Sequence, residues 1–169
     1  MPISINGSGT VTGISVGGLP DGIVDTDMLA AGAVTAAKRG AGAILQVVST
    51  NYTGTSSVSV PNQSLADTPA TVTITSTAAN SKFLISAGIN GEPSSSDHDY
   101  GFVLRRVIGG SGASLNVGGS AGSRPQISFM QSTGYWADDN SSTPSSSVLA
   151  PYLDSPSQAA GTAITYKIA

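Results

Sequence analysis

The chain has 169 residues, of which 10% are charged, and a formal net charge of −3. It holds 27 serines, 16 threonines and 21 glycines, but one glutamate (Glu92), one histidine (His98) and no cysteine. Helical bundles need Glu, Lys, Leu and Arg in quantity, disulfide frameworks and histidine-rich metal sites need Cys and His, and nucleic-acid binding needs clustered cations, so the composition excludes all of these and predicts an all-β structural or binding protein.

The length suits one modest domain plus an arm. The start, Met1-Pro2-Ile3-Ser4, has neither a basic region nor an apolar run, so no secretion signal is expected. No stretch approaches the roughly 18 apolar residues of a membrane span, and no membrane insertion is expected.

Residues 1–43 contain no aromatic residue and are rich in Gly, Ala and Val. Ile3, Ile5, Val11, Ile14 and Val16 fall partly at period two among Gly and Ser, which predicts short β segments with tight turns. An internal repeat follows. Gly22-Ile23-Val24-Asp25 aligns with Gly32-Ala33-Val34-Thr35 at a spacing of ten. Each unit predicts an extended pair and then one turn of helix, capped by Asp25 or Thr35, with Lys38 and Arg39 placed where the helix dipole favours cations. Two such units are too few to stand alone. Burying a Val or Ile is worth roughly 1.5–3 kcal/mol, and ordering each residue costs about 1–2 kcal/mol. Ile3, Ile5, Val11, Ile14, Val16, Ile23, Val24, Leu29 and Val34 are therefore expected to form a core only when several arms share it.

Residues 44–169 are predicted to form a β-sandwich domain. Ile44–Val48, Ser57–Val60, Ala70–Thr77, Lys82–Gly88, Tyr100–Val107, Ile127–Met130 and Ala163–Ile168 have the apolar content or the alternation of strands. Ser, Gly, Asp and Pro fill the gaps, the pattern of a sandwich or jelly roll. Gly109-Gly110 and Gly118-Gly119 are turn glycines, since no Lys-Ser/Thr follows them into a helix. Arg105 and Arg106 are adjacent on a strand, so one faces in and one out, and an ion pair with an aspartate is expected.

Four segments in the same order resemble bacteriophage tail-fibre and other virion structural proteins. The decamer unit Gly32-Ala33-Val34-Thr35-Ala36-Ala37-Lys38 is similar to a unit repeated there. Ser81–Ser86, Tyr100–Arg106 (as Phe-x-Leu-x-Arg), and Tyr152-Leu153-Asp154-Ser155-Pro156 with Thr165-Tyr166-Lys167-Ile168 resemble strands of a β-sandwich in such proteins. The resemblance implies a non-enzymatic, trimeric fibre of the particle, made in the host cytoplasm and carrying a jelly-roll-like sandwich. Its arm would join other virion proteins, and its loops would meet a host glycan or protein. Two alternatives remain: a joint of baseplate, collar or capsid surface without a receptor role, and a free carbohydrate-binding module or adhesin. Proteins of this kind usually run further past the Tyr-Lys strand. Either a short C-terminus or a truncated sequence accounts for the stop at Ala169, and a sandwich ending there is expected to leave an open edge strand unless another subunit covers it.

Candidate contact residues lie in two loops. His98 stands between Asp97 and Asp99. Successive residues of an extended chain point to opposite sides, which favours a solvated loop over a metal or catalytic site. Tyr135, Trp136, Asp138 and Asp139 combine rings that stack on sugars or anchor interfaces with carboxylates that accept from hydroxyls. Trp136 packed into the sandwich is the plainer alternative. Glycoside hydrolysis needs two carboxyls about 5–10 Å apart across a cleft, which neighbouring aspartates seldom provide. No catalytic residue, cofactor or metal is expected.

Overall fold

The computed structural model describes residues 4–5, 11–12, 29–35, 38–40, 42–60, 64–92, 100–131 and 145–169. The chain divides into two units, Met1–Ala43 and Ile44–Ala169. The described residues form ten strands and no α-helix. In chain order these are β1 (Ser4–Ile5), β2 (Val11–Thr12), β3 (Thr71–Thr75), β4 (Phe83–Gly91), β5 (Tyr100–Phe102), β6 (Leu104–Ile108), β7 (Ser111–Leu115), β8 (Phe129–Gln131), β9 (Ser145–Asp154) and β10 (Ala163–Ile168).

In the first unit β1 and β2 pair antiparallel, Ser4 with Thr12 and Ile5 with Val11. The ten-residue repeat has a backbone counterpart. Ala33 N–H bonds the Ala30 carbonyl at 2.9 Å, and Ala43 N–H bonds the Gly40 carbonyl at 3.2 Å. Gly32 (φ 80°) and Gly42 (φ 87°) occupy the third position of these turns, where a type II turn needs a positive φ. The period thus continues one step beyond the two units visible as sequence. Where one turn of helix is expected after Thr35, Lys38 N–H bonds the Thr35 carbonyl at 3.0 Å as in a 3₁₀ turn, and the Lys38 ammonium reaches back to the Ala33 carbonyl at 3.1 Å. Leu29 and Val34 are exposed in the single chain. Ile3, Ile14, Val16, Ile23 and Val24 lie outside the described residues.

The second unit is all-β and antiparallel, consistent with a β-sandwich. One sheet has the order β3-β10-β6-β7. β4 pairs with β9, and β5 with β8. Phe83 and Ile85 of β4, Leu149 of β9, Phe102 of β5, Leu104 of β6, Leu115 of β7 and Ile164, Tyr166 and Ile168 of β10 form one buried cluster. Because the members come from the four-stranded sheet and from both pairs, the core lies between these layers. The alternation explains it: along β10, Ile164, Tyr166 and Ile168 turn inward while Ala163, Thr165 and Lys167 turn outward.

Several expectations are corrected. The Thr165–Ile168 strand is not an edge. β10 is flanked by β3 and β6, and Ala169 exchanges both backbone hydrogen bonds with Val103, at 2.8 and 3.0 Å. The predicted strand Tyr100–Val107 breaks at Val103. Its first part pairs with β8 and its second with β10 and β7, as strands do when they pass from one sheet to another at a corner. Ser128 holds that corner: its Oγ accepts from Leu104 N–H at 2.9 Å and donates to the Leu115 carbonyl at 2.7 Å. Ile44–Val48 and Ser57–Val60 form no strand.

β7 and β9 are additional strands. Gly109 (φ 57°) and Gly110 (φ 84°) are the two-residue turn that sets β6 against β7, Ile108 opposite Ser111. β9 carries Pro151. Ile85 faces Tyr152 and Ala87 faces Leu149, so two residues of β9, Ala150 and Pro151, stand opposite Ser86 alone. A bulge there accommodates a residue that has no N–H to give.

Candidate functional site

The contact residues expected from sequence, His98, Tyr135, Trp136, Asp138 and Asp139, all lie outside the described residues. Among the described residues, no three or more His, Asp or Glu side chains come together as a metal site would require. The notable side-chain chemistry is a pair of charged clusters, one on each side of β6, built by adjacent arginines.

Arg106 lies directly opposite Tyr166 in the β6–β10 ladder. Asp154 ends β9, opposite Phe83 of β4. Arg106 Nη1 donates to Asp154 Oδ1 at 2.7 Å and to Oδ2 at 2.9 Å, and the Tyr166 hydroxyl donates to Oδ2 at 2.8 Å. Asp154 is only 4% exposed. A buried carboxylate is tolerable only with its lone pairs engaged and a countercharge beside it, and both conditions are met here. The cluster ties β9 to β6 and β10, and so links the β4–β9 pair to the four-stranded sheet. Burial, together with the Asp154 carboxylate beside it, pushes the Tyr166 hydroxyl far above the ordinary tyrosine value, because a second anion there would be both desolvated and repelled. The Tyr166 ring also packs against Phe83, with centroids 6.0 Å apart.

Arg105 faces the other way. Its Nη1 donates to Asp67 Oδ1 at 2.8 Å, and Lys167 Nζ donates to Oδ2 at 2.8 Å. Arg105 and Lys167 are cross-strand partners, and like charges in that relation repel. Asp67 sits between them and removes the conflict. Its carboxyl is held below the ordinary value chiefly by the Lys167 hydrogen bond, against a smaller opposing effect of burial and with help from Arg105. Gly112 makes room for the arrangement, since a Cβ there would come within 2.7 Å of Arg105 Nη2.

Both arginines therefore have aspartate partners, in line with the expected ion pairing. Sequence alone does not name those partners. Asp67 is 38 residues from Arg105 and Asp154 is 48 from Arg106. The signal for Asp154 is its place at the end of the apolar run Tyr152-Leu153, where alternation turns it inward. Chemically the inner cluster is a clasp: its carboxylate is enclosed and both of its oxygens are taken. No family model matches the chain, and neither the curated proteins nor the solved structures searched include a match.

Proposed function

We propose that the chain is a non-enzymatic structural protein of a bacteriophage particle, a trimeric fibre. Residues 1–43 attach it, and a jelly-roll-like sandwich is displayed for contact with a host surface. One observation carries this reading. Phe83, Arg106, Asp154 and Tyr166 come from the separate sandwich segments that resemble virion proteins, and they meet in one cluster. Residues that specify a scaffold meet in this way. The resemblance falls on residues that hold the sandwich together, which favours a structural role over a catalytic one. The low charge and the thin, aromatic-free arm suit close approach of three chains along an axis.

The test is the solution mass of the purified chain by light scattering. Three chains of 16.7 kDa give about 50 kDa. A folded monomer at every concentration would remove the fibre reading and favour a stand-alone module. Purified particles encoding this sequence are expected to contain the protein at a copy number divisible by three. Binding of the isolated protein to host cells then separates a receptor fibre from a structural joint.

A further inference from the structure

Residues 44–60 carry the apolar side chains of strands but join no sheet of their own chain. Ile44 is 77% exposed and Val47 80%, and Val48, Tyr52, Val58 and Val60 are exposed as well. No charged residue occurs from position 40 to 66. A second apolar surface lies on the outer side of the β4–β9 pair. Phe83 and Ile85 turn inward there, so Leu84 turns out, opposite Leu153 in register. Leu84 is 72% exposed and Val148 71%, and Leu153 and, on β8, Met130 are also open. β4 has no charged residue, and the single one on β9, Asp154, points inward.

We infer that residues 44–60 of one copy of this chain lie on the outer β4–β9 face of a second copy. Singly exposed apolar residues are ordinary, whereas a continuous uncharged set marks an interface. Among the described residues, neither the segment nor the outer side of β4 and β9 carries an ion to be desolvated when they meet, which removes the largest penalty on burying them together. Covering the segment's exposed side chains together with Leu84, Val148 and Leu153 buries at most about 1,000 Å², the lower end of specific interfaces. Each copy brings one segment and one face. A head-to-tail contact therefore leaves nothing uncovered once a ring closes. The inference shares with the fibre reading only the premise that copies associate. It needs neither a phage particle nor a contact between arms.

The test uses the full chain, which has no native cysteine to interfere. Val47→Asp and Val148→Asp change exposed positions, so each variant is expected to keep the circular dichroism of the parent. Each is also expected to weaken self-association at least tenfold. Independently, Val47→Cys chains mixed with Val148→Cys chains and gently oxidised are expected to give a 47–148 disulfide, identified by peptide mass. A trimer of unchanged mass with no such disulfide overturns the inference and leaves the fibre reading standing. The disulfide within an assembly that is not trimeric does the reverse. A Val47→Cys, Val148→Cys double variant that closes within one chain, or a parent that stays monomeric, also overturns it. The first result would return the segment to its own chain, and the second would give the face to another protein.

Discussion

Tyr166 donates its hydroxyl to Asp154 across 2.8 Å, and the bond joins an inner strand of the four-stranded sheet to the last residue of β9, which pairs with β4. Arg106 completes the contact from the strand beside Tyr166. Asp154→Asn leaves the partly buried guanidinium without its countercharge and is expected to destabilise the fold by about 3 kcal/mol. Replacing all three partners together, Arg106→Met with Asp154→Leu and Tyr166→Phe, leaves neither an unpaired charge nor a buried hydroxyl without an acceptor and is expected to recover most of that loss. Urea unfolding midpoints of the three proteins check this.

Alkaline stability follows from the same hydroxyl. Its proton is held in the folded chain far above 10.0, the ordinary tyrosine value. Below 10.0 both states are protonated and the contribution is fully present. Above it the unfolded chain releases the proton while the folded chain keeps it, so stability declines as pH rises, by up to about 1.4 kcal/mol per pH unit. Tyr166→Phe is expected to start about 1 kcal/mol less stable, from the lost hydrogen bond. It should also flatten the decline above pH 10. An unchanged slope in the variant would assign the decline to other groups.

Asp67 governs the acid side in the opposite sense. Its folded value is depressed below the ordinary 3.8. The stabilisation is present above 3.8 and is lost as pH falls through the folded value, because the unfolded chain takes up the proton first. Asp67 is more than a third exposed, so solvent screening keeps the effect small. Asp67→Asn is expected to show a shallower loss of thermal stability below pH 4 than the parent. At neutral pH it should be slightly destabilised, since Arg105 and Lys167 then face each other unbridged.

Two glycines separate rigid from yielding contacts. A Cβ at Gly101 would fall 2.7 Å from Ile127 Cγ2 and 3.1 Å from its Cβ, so the backbone must shift. Gly101→Ala is expected to cost about 1–3 kcal/mol, as overpacking does. A Cβ at Gly112 meets only the far end of Arg105. Gly112→Ala is expected to displace the guanidinium from Asp67 with a smaller change in the unfolding midpoint.

Leu149 is fully buried at the centre of the core. Leu149→Ala is expected to destabilise by about 2–5 kcal/mol, whereas Leu153→Ala, exposed on the outer face one position before Asp154, should change the unfolding midpoint little. Near-equal effects would place the core elsewhere.

Much of the layer structure was legible in the sequence because burial enforces period two. Val72 and Ile74, Phe83 and Ile85, and Ile164, Tyr166 and Ile168 all sit as alternation places them. β7 was not legible, since Ser-Gly-Ala-Ser has little strand preference of its own; the Gly109-Gly110 turn imposes its register. β9 was hidden by its serines and by Pro151, which a bulge accommodates. Ile44–Val48 misled in the other direction: apolar content gives a segment the capacity to pair and supplies no partner. The ion pairs were foreseeable as a type of contact. Their particular aspartates were not, because partner choice depends on strand order, which local pattern does not encode.

The inner place of β10 also bears on the order of events during synthesis. Thr73 and Thr165 meet hydroxyl to hydroxyl although 92 residues apart in the chain, and β3 and β6 touch only through the strand between them. Until residue 168 leaves the ribosome, β3 and the β6–β7 hairpin have no shared neighbour, and the core lacks Ile164, Tyr166 and Ile168. The sheet therefore closes only after β10 is made, through pairings such as Thr73 with Thr165 that span most of the sandwich sequence, and such long-range pairing is slow.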